Sequence, residues 1–264
     1  MWHIKEEDLA EFKITSRNRL HPENVIVFMI GTITYSSLMM FFIIGGLMKF
    51  GWDFYENLFG KTIVIIELIL YSLQLFFLMI YLFPKMPFKL QRIQTLVILL
   101  YAFQLGTIGF TIVILPGMTG HYINSLTPIY FVLLLLGAVV VHIIATVDTF
   151  KQASEGAFSM GEKSSSFFSS IKRKIITMSG IWTLLLLVLI YLHNGYSGKT
   201  MTLYVVLSII MYAVAIGAAE FQLLAYCRFK FPSFNISWEE HERDRKRFAK
   251  RNKKHQQKRK SKNR

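Results

Sequence analysis

The chain is short of most of what a soluble enzyme needs. It has one cysteine in 264 residues, Cys227, so an internal disulfide is excluded. It contains no HExxH, GxSxG or CxxC and no complete phosphate-binding loop. His121, His193 and His241 lack ligand spacing, so the sequence gives no reason to expect a metal or cofactor. Acidic residues are scarce, 16 against 30 lysines and arginines. Prolines number six, and Pro84, Pro87, Pro116 and Pro128 sit at the ends of apolar runs, not inside them. The sequence shows no obvious inverted repeats and no Gly/Pro-broken spans of the kind transporters use. The first twenty residues are charged and end before the first apolar run, so no cleavable leader is expected.

What is present is hydrophobic length. Apolar residues make up 53% of the chain and fall in blocks, not in stripes. Six blocks, at 25–48, 62–83, 93–115, 129–150, 175–193 and 201–227, each reach the roughly 20 helical residues that cross about 30 Å of hydrocarbon. The fold class is thus an all-α integral membrane protein with six transmembrane helices. Its expected units are an N-terminal segment (1–24), a six-helix bundle (25–232) and a basic tail (233–264).

Loop charge gives orientation. Lys13, Arg17, Arg19, Lys85, Lys89, Arg92, Lys151, Lys163, Lys172, Arg173, Lys174 and the tail fall on one side, against Lys49, Lys61 and Lys199 on the other. The positive-inside rule puts both termini in the cytoplasm. On the other side, Trp52, Tyr55, Tyr122, Tyr130, Tyr196 and Tyr204 read as an aromatic belt. Ile4, Leu9 and Phe12 suit one face of a short interfacial helix. Cys227, at the inner end of the last span, reads as filler, with acylation as the alternative. Lysine-, isoleucine- and asparagine-rich usage points by association to an AT-rich bacterial genome, and so to a bacterial cytoplasmic membrane.

Ionisable groups inside spans cost roughly 2.5–3.5 kcal/mol each on insertion scales and mark candidate sites. Counted from the inner ends, Gln74, His142 and Glu220 lie at similar depth, with Gln104 somewhat deeper. Together they form a candidate polar layer, with His142 and Glu220 expected to meet. An interhelical hydrogen-bond cluster, worth on the order of 1 kcal/mol per bond, is the simpler account of the same residues. Asp148, close to the inner boundary, is expected to reach water or Lys151, and Glu67 has no evident partner. Ala213 with Gly217, and Ala215 with Ala219, are small-xxx-small pairs that permit close packing.

The loop between the fourth and fifth spans is rich in Ser and Gly and reads as a flexible linker. Gly156, Gly161, Lys163 and Ser164 approach a phosphate loop, but Glu162 stands where its lysine belongs. In the tail, Ser237 and Glu240 form a capping box that starts a helix from about 238 to 255. Residues 239–264 carry thirteen basic and four acidic side chains, a net +9. Arg243, Arg245, Lys246, Arg247, Lys250, Arg251, Lys253 and Lys254 are candidates to bind anionic lipid headgroups or, nonspecifically, nucleic acid. In composition the tail resembles the ribosome-contacting tails of membrane-protein insertases, which implies a ribosome as a further partner. The function expected is a non-enzymatic accessory, assembly or immunity-type membrane component with a membrane-protein partner. The alternative is a small secondary transporter or channel using the polar layer.

Overall fold

The computed structural model describes residues 3–52, 58–114, 126–160, 170–194, 198–248 and 250. All regular structure among them is helical. A 3-10 turn at Glu7–Leu9 leads into α1 (Ala10–Arg19). The long helices are α2 (Pro22–Phe50), α3 (Leu58–Tyr81), α5 (Gln91–Ile114), α6 (Leu126–Ser154), α7 (Ser170–Asn194) and α8 (Gly198–Lys230), with a short α4 (Met86–Lys89) between α3 and α5. A 3-10 turn at Pro232–Phe234 then leads to α9, which covers 238–248. The six long helices are apolar and long enough to cross a membrane. Each overlaps one of the expected spans; α2, α6, α7 and α8 extend theirs at both ends, whereas α3 ends at Tyr81 and α5 at Ile114, short of the expected 83 and 115.

Sequence sets where these helices start. Pro22 at the first position of α2 presents a φ ready for helix and lacks an N–H that would go unused, while His21 caps the turn. Ser237 Oγ accepts the Glu240 N–H at 3.1 Å, the capping bond expected for α9. Beyond 250 the tail lies outside the described residues, so Arg251, Lys253 and Lys254 do too.

The bundle is built around α5 and α8, which pack most extensively on each other; α6 and α2 pack next. In its most apolar stretch α5 is 61% buried, whereas α3 is 17% buried. A Cβ at Gly109 would collide with the Leu207 side chain, so glycine there sets how closely α5 and α8 approach. Of the two small-residue pairs, Ala215 and Ala219 are buried inside the bundle. No side-chain atom stands within 4 Å of where a Cβ on Gly217 would lie.

The N-terminal segment and the segment after α8 meet at one end of the bundle, here called the base. Ile4, Leu9 and Phe12 do share a face, but it turns into the protein and not toward an interface. They form a core with Ala153, Phe158, Leu223, Leu224 and Phe234. Cys227 is fully buried in that core, out of reach of acylation. The start of the linker is anchored here as well: Glu11 N–H donates to the Phe158 carbonyl at 2.9 Å, across a turn with Gly156 at φ +76°. Gly161, Glu162, Lys163 and Ser164 lie outside the described residues, as do Tyr55, Tyr122 and Tyr196 of the expected belt. Tyr204 is no belt residue. It is 2% exposed and packs against Phe110 inside the bundle.

Candidate functional site: a charged groove beside α7

α7 packs chiefly on α6 and only sparsely on α8. On its α8 side runs a groove of about 730 Å3, lined by Ile176, Gly180, Leu184, Ile209, Gly217 and Glu220 among others. Its lining runs from 205 to 220 along α8, about 22 Å at 1.5 Å per residue. Leu184 and Ile209 are strongly exposed, so the groove opens on the outer face of the bundle. On the α6 side lies a second, almost wholly apolar groove of about 540 Å3, between Val140, Ile144, Ile175 and Met178.

The mouth of the first groove, nearest the base, is charged. Glu220 faces the guanidinium of Arg19 at 3.9 Å. Lys172 on the first turn of α7 is fully buried, and the Asp148 and Glu220 carboxylates act on it electrostatically. Asp148 is also buried, and accepts from Gln152 Nε2 at 2.6 Å. Two carboxylates thus face two cations at the junction of α1, α6, α7 and α8. The sequence placed Lys172 in a loop and gave Asp148 to water or Lys151. Lys151 instead pairs with Glu155 at 3.8 Å.

The four residues proposed as a polar layer fall into separate sets. His142 Nδ1 donates to the Ala215 carbonyl at 2.8 Å, and its Nε2 accepts from Gln222 Nε2 at 2.9 Å. Gln222 Oε1 accepts in turn from Thr146 Oγ1 at 2.8 Å. The Nδ1-protonated tautomer is the one that fits these partners. On α8, then, the neighbour of His142 is Gln222 and not Glu220. Gln104 Nε2 donates to Glu67 Oε2 at 2.9 Å, and Thr111 Oγ1 donates to Glu67 Oε1 at 3.0 Å. The Gln74 side chain is buried and neither of its amide atoms has a hydrogen-bond partner, while its backbone carbonyl accepts from Tyr101 Oη. The partners of Glu67 were readable in part: Gln104 and Thr111 are seven apart and share a face of α5.

At the base a second polar cluster holds the tail. Arg228 is 2% exposed and donates to the carbonyls of Leu20 and Gln91, at 2.9 and 3.3 Å, and to Thr95 Oγ1 at 2.7 Å. It ties α8 to α5 and to the turn between α1 and α2. Arg17 pairs with Glu240 of α9 at 3.2 Å. Glu6 accepts from Ser233 Oγ and from Lys13 Nζ, and these bonds hold its carboxyl below its ordinary pKa. His241 lies against Phe88 and Trp238, with ring centroids 4.7 and 5.6 Å away, and against His21 at 5.1 Å. Burial, then the neighbouring His241, lowers the His21 pKa from its ordinary value.

The described basic residues of the tail, Arg243, Arg245, Lys246, Arg247 and Lys250, are exposed. Arg245 and Lys246 flank Glu242 at 3.1 and 4.0 Å, and Arg247 reaches Asp244 at 3.5 Å. Such exposed pairs contribute about 0–1 kcal/mol each and leave the charges free to meet a surface.

Compared with known proteins, the chain matches no family model, no curated protein and no solved structure.

Proposed function

We propose that this is a non-enzymatic accessory, assembly or immunity-type component of a bacterial cytoplasmic membrane, with both termini in the cytoplasm. Its groove beside α7 would take a membrane-spanning helix of a partner protein. The observation that carries this reading is the lateral, largely apolar groove with Gly180 and Gly217 facing open space. Small residues along an open face are what close helix–helix approach in a bilayer requires. The pairing of Glu67 with Gln104 and of His142 with Gln222 supports a bundle-holding role for the inner polar groups. The exposed basic face of α9 suits anionic headgroups, at roughly 1 kcal/mol per residue near the surface, and nonspecific nucleic acid or a ribosome would meet the same charges.

Photo-crosslinking residues placed at 184 and 209 should couple to one membrane protein. Gly180→Leu with Gly217→Leu, which fill open space, should abolish the crosslinks while leaving the protein folded. Reporter fusions at residues 120 and 264 test orientation, and external activity at 264 would overturn it.

The second reading, a small transporter or channel, draws on Glu220 lining the groove within reach of Arg19 and Lys172. Proton or ion flux in proteoliposomes that disappears in Glu220→Gln would establish it in place of the first.

A further inference from the structure

Three potential metal ligands converge where α9 meets the start of α2. His21, Glu23 and His241 each offer one ligand atom, and these atoms all lie within 4.8 Å of one another. Glu23 Oε1 is 3.1 Å from His241 Nε2. In a tetrahedral site with bonds of about 2.0–2.1 Å, ligand atoms stand ~3.3 Å apart, so small side-chain adjustments close the set around one ion. His241 is 9% exposed, and its Nε2 is buried without a well-directed hydrogen bond. A buried ring nitrogen in that state, beside a carboxylate, has the chemistry of a metal ligand. The cap that His21 Nδ1 accepts from the Glu23 N–H is long, 3.4 Å, and yields at little cost.

The surroundings favour a transition metal. Phe88 and Trp238 wall the cluster, with their rings 5.3 Å apart. Such a wall keeps water from the ligands and holds the His241 ring in place. Arg228, the cation nearest in effect on His21, is turned to Leu20, Gln91 and Thr95. Two imidazoles and one carboxylate match Zn2+, Co2+ or Ni2+, and do not suit Mg2+ or Ca2+, which take oxygen ligands. Three protein ligands leave a fourth position for water.

We propose that His21, Glu23 and His241 bind one zinc-class divalent ion that fastens the basic helix α9 to the base of the bundle. The ion links residues 220 apart in sequence, so it sets whether the basic face of α9 is held at the membrane side or released. No step of this depends on the occupant of the groove beside α7.

The test uses the full chain in detergent, stripped with EDTA. Co2+ should bind at one equivalent, with the visible absorption of a four-coordinate site, and Zn2+ should displace it. Zn2+ at ten times its Kd should slow tryptic cleavage after Arg243 and Arg245 about tenfold by mass action, and Mg2+ should not. Two variants cover loss of fold: Glu23→Gln, at a half-exposed side chain, and His241→Gln. Both should lose the protection, and Glu23→Gln should keep the metal-free melting temperature. Equal cleavage in Zn2+ and EDTA would overturn the proposal, as would protection that survives both substitutions.

Discussion

Gln91 faces Ile236 as one peptide group faces another: its Nε2 donates to the Ile236 carbonyl, and its Oε1 accepts the Ile236 N–H at 3.1 Å. The first residue of α5 thereby acts as a one-residue strand partner for the chain between α8 and α9. Gln91 is buried, so both backbone groups of Ile236 depend on it. Gln91→Leu should leave them unsatisfied, cost about 1–3 kcal/mol, and speed tryptic cleavage in α9. A thermal melt and a proteolysis time course read both effects, and unchanged proteolysis would refute the clamp.

Arg228 donates three bonds to neutral acceptors from two other elements. Arg228→Met keeps most of the volume but strands the Leu20 carbonyl, whereas the Gln91 carbonyl keeps the Thr95 hydroxyl as a donor at 2.8 Å. The loss should be about 1–3 kcal/mol, the cost of one unsatisfied group. Arg228→Lys should recover only part, because an ammonium cannot span the same fork. Detergent-phase melting temperatures rank the three proteins.

Glu67 and Gln104 should be energetically coupled. Glu67→Ala removes the acceptor of Gln104 and Thr111, and should cost about 1–2 kcal/mol. Gln104→Ala made on top of Glu67→Ala should then cost less than Gln104→Ala alone. Additive losses in that cycle would show that the bond contributes nothing.

The partners just named mark the limit of what one sequence tells. The six spans were legible because long uninterrupted apolar runs have no other use in a chain of this size. The capping box of α9 was legible because Ser237 and Glu240 act over three residues. Rotation about each helix axis was not, since inward and lipid-facing positions are alike apolar. So His142 and Glu220 were matched by depth, whereas the structure turns His142 to Gln222. Lys172 read as a loop charge because charge at a span end usually reaches water; it is buried instead, and so is Arg228. The face of Ile4, Leu9 and Phe12 was visible, but its destination lay some 150–230 residues further along.

Acid should loosen the N-terminal segment. Hydrogen bonds from Ser233 and Lys13 lower the Glu6 pKa below its ordinary 4.5. A lowered carboxyl pKa contributes stability that is present above the unfolded value. That stability is lost as pH falls through the folded one. Crosslinking between cysteines at residues 5 and 232 should therefore weaken below pH 4.5, and Glu6→Gln should flatten that dependence.

The exposed arginines and lysine of α9 should govern surface binding. Replacing Arg243, Arg245, Lys246 and Arg247 with Gln should weaken co-sedimentation of the full chain with anionic vesicles. Raising salt on the unmodified protein should do the same. Equal binding to neutral vesicles would refute an electrostatic origin.

The way the base is closed has a consequence for biogenesis. Leu20 is held by Arg228, Arg17 by Glu240 and Glu6 by Ser233, across 208, 223 and 227 residues. Each early member of these pairs leaves the ribosome long before its partner. Ile4, Leu9 and Phe12 therefore wait for Ala153 and Phe158 until the fourth span is made, and for Leu223, Leu224 and Phe234 until the sixth. Only with α8 in the bilayer is their core complete, so a chain stalled before residue 223 should present a half-covered apolar face to quality-control proteases.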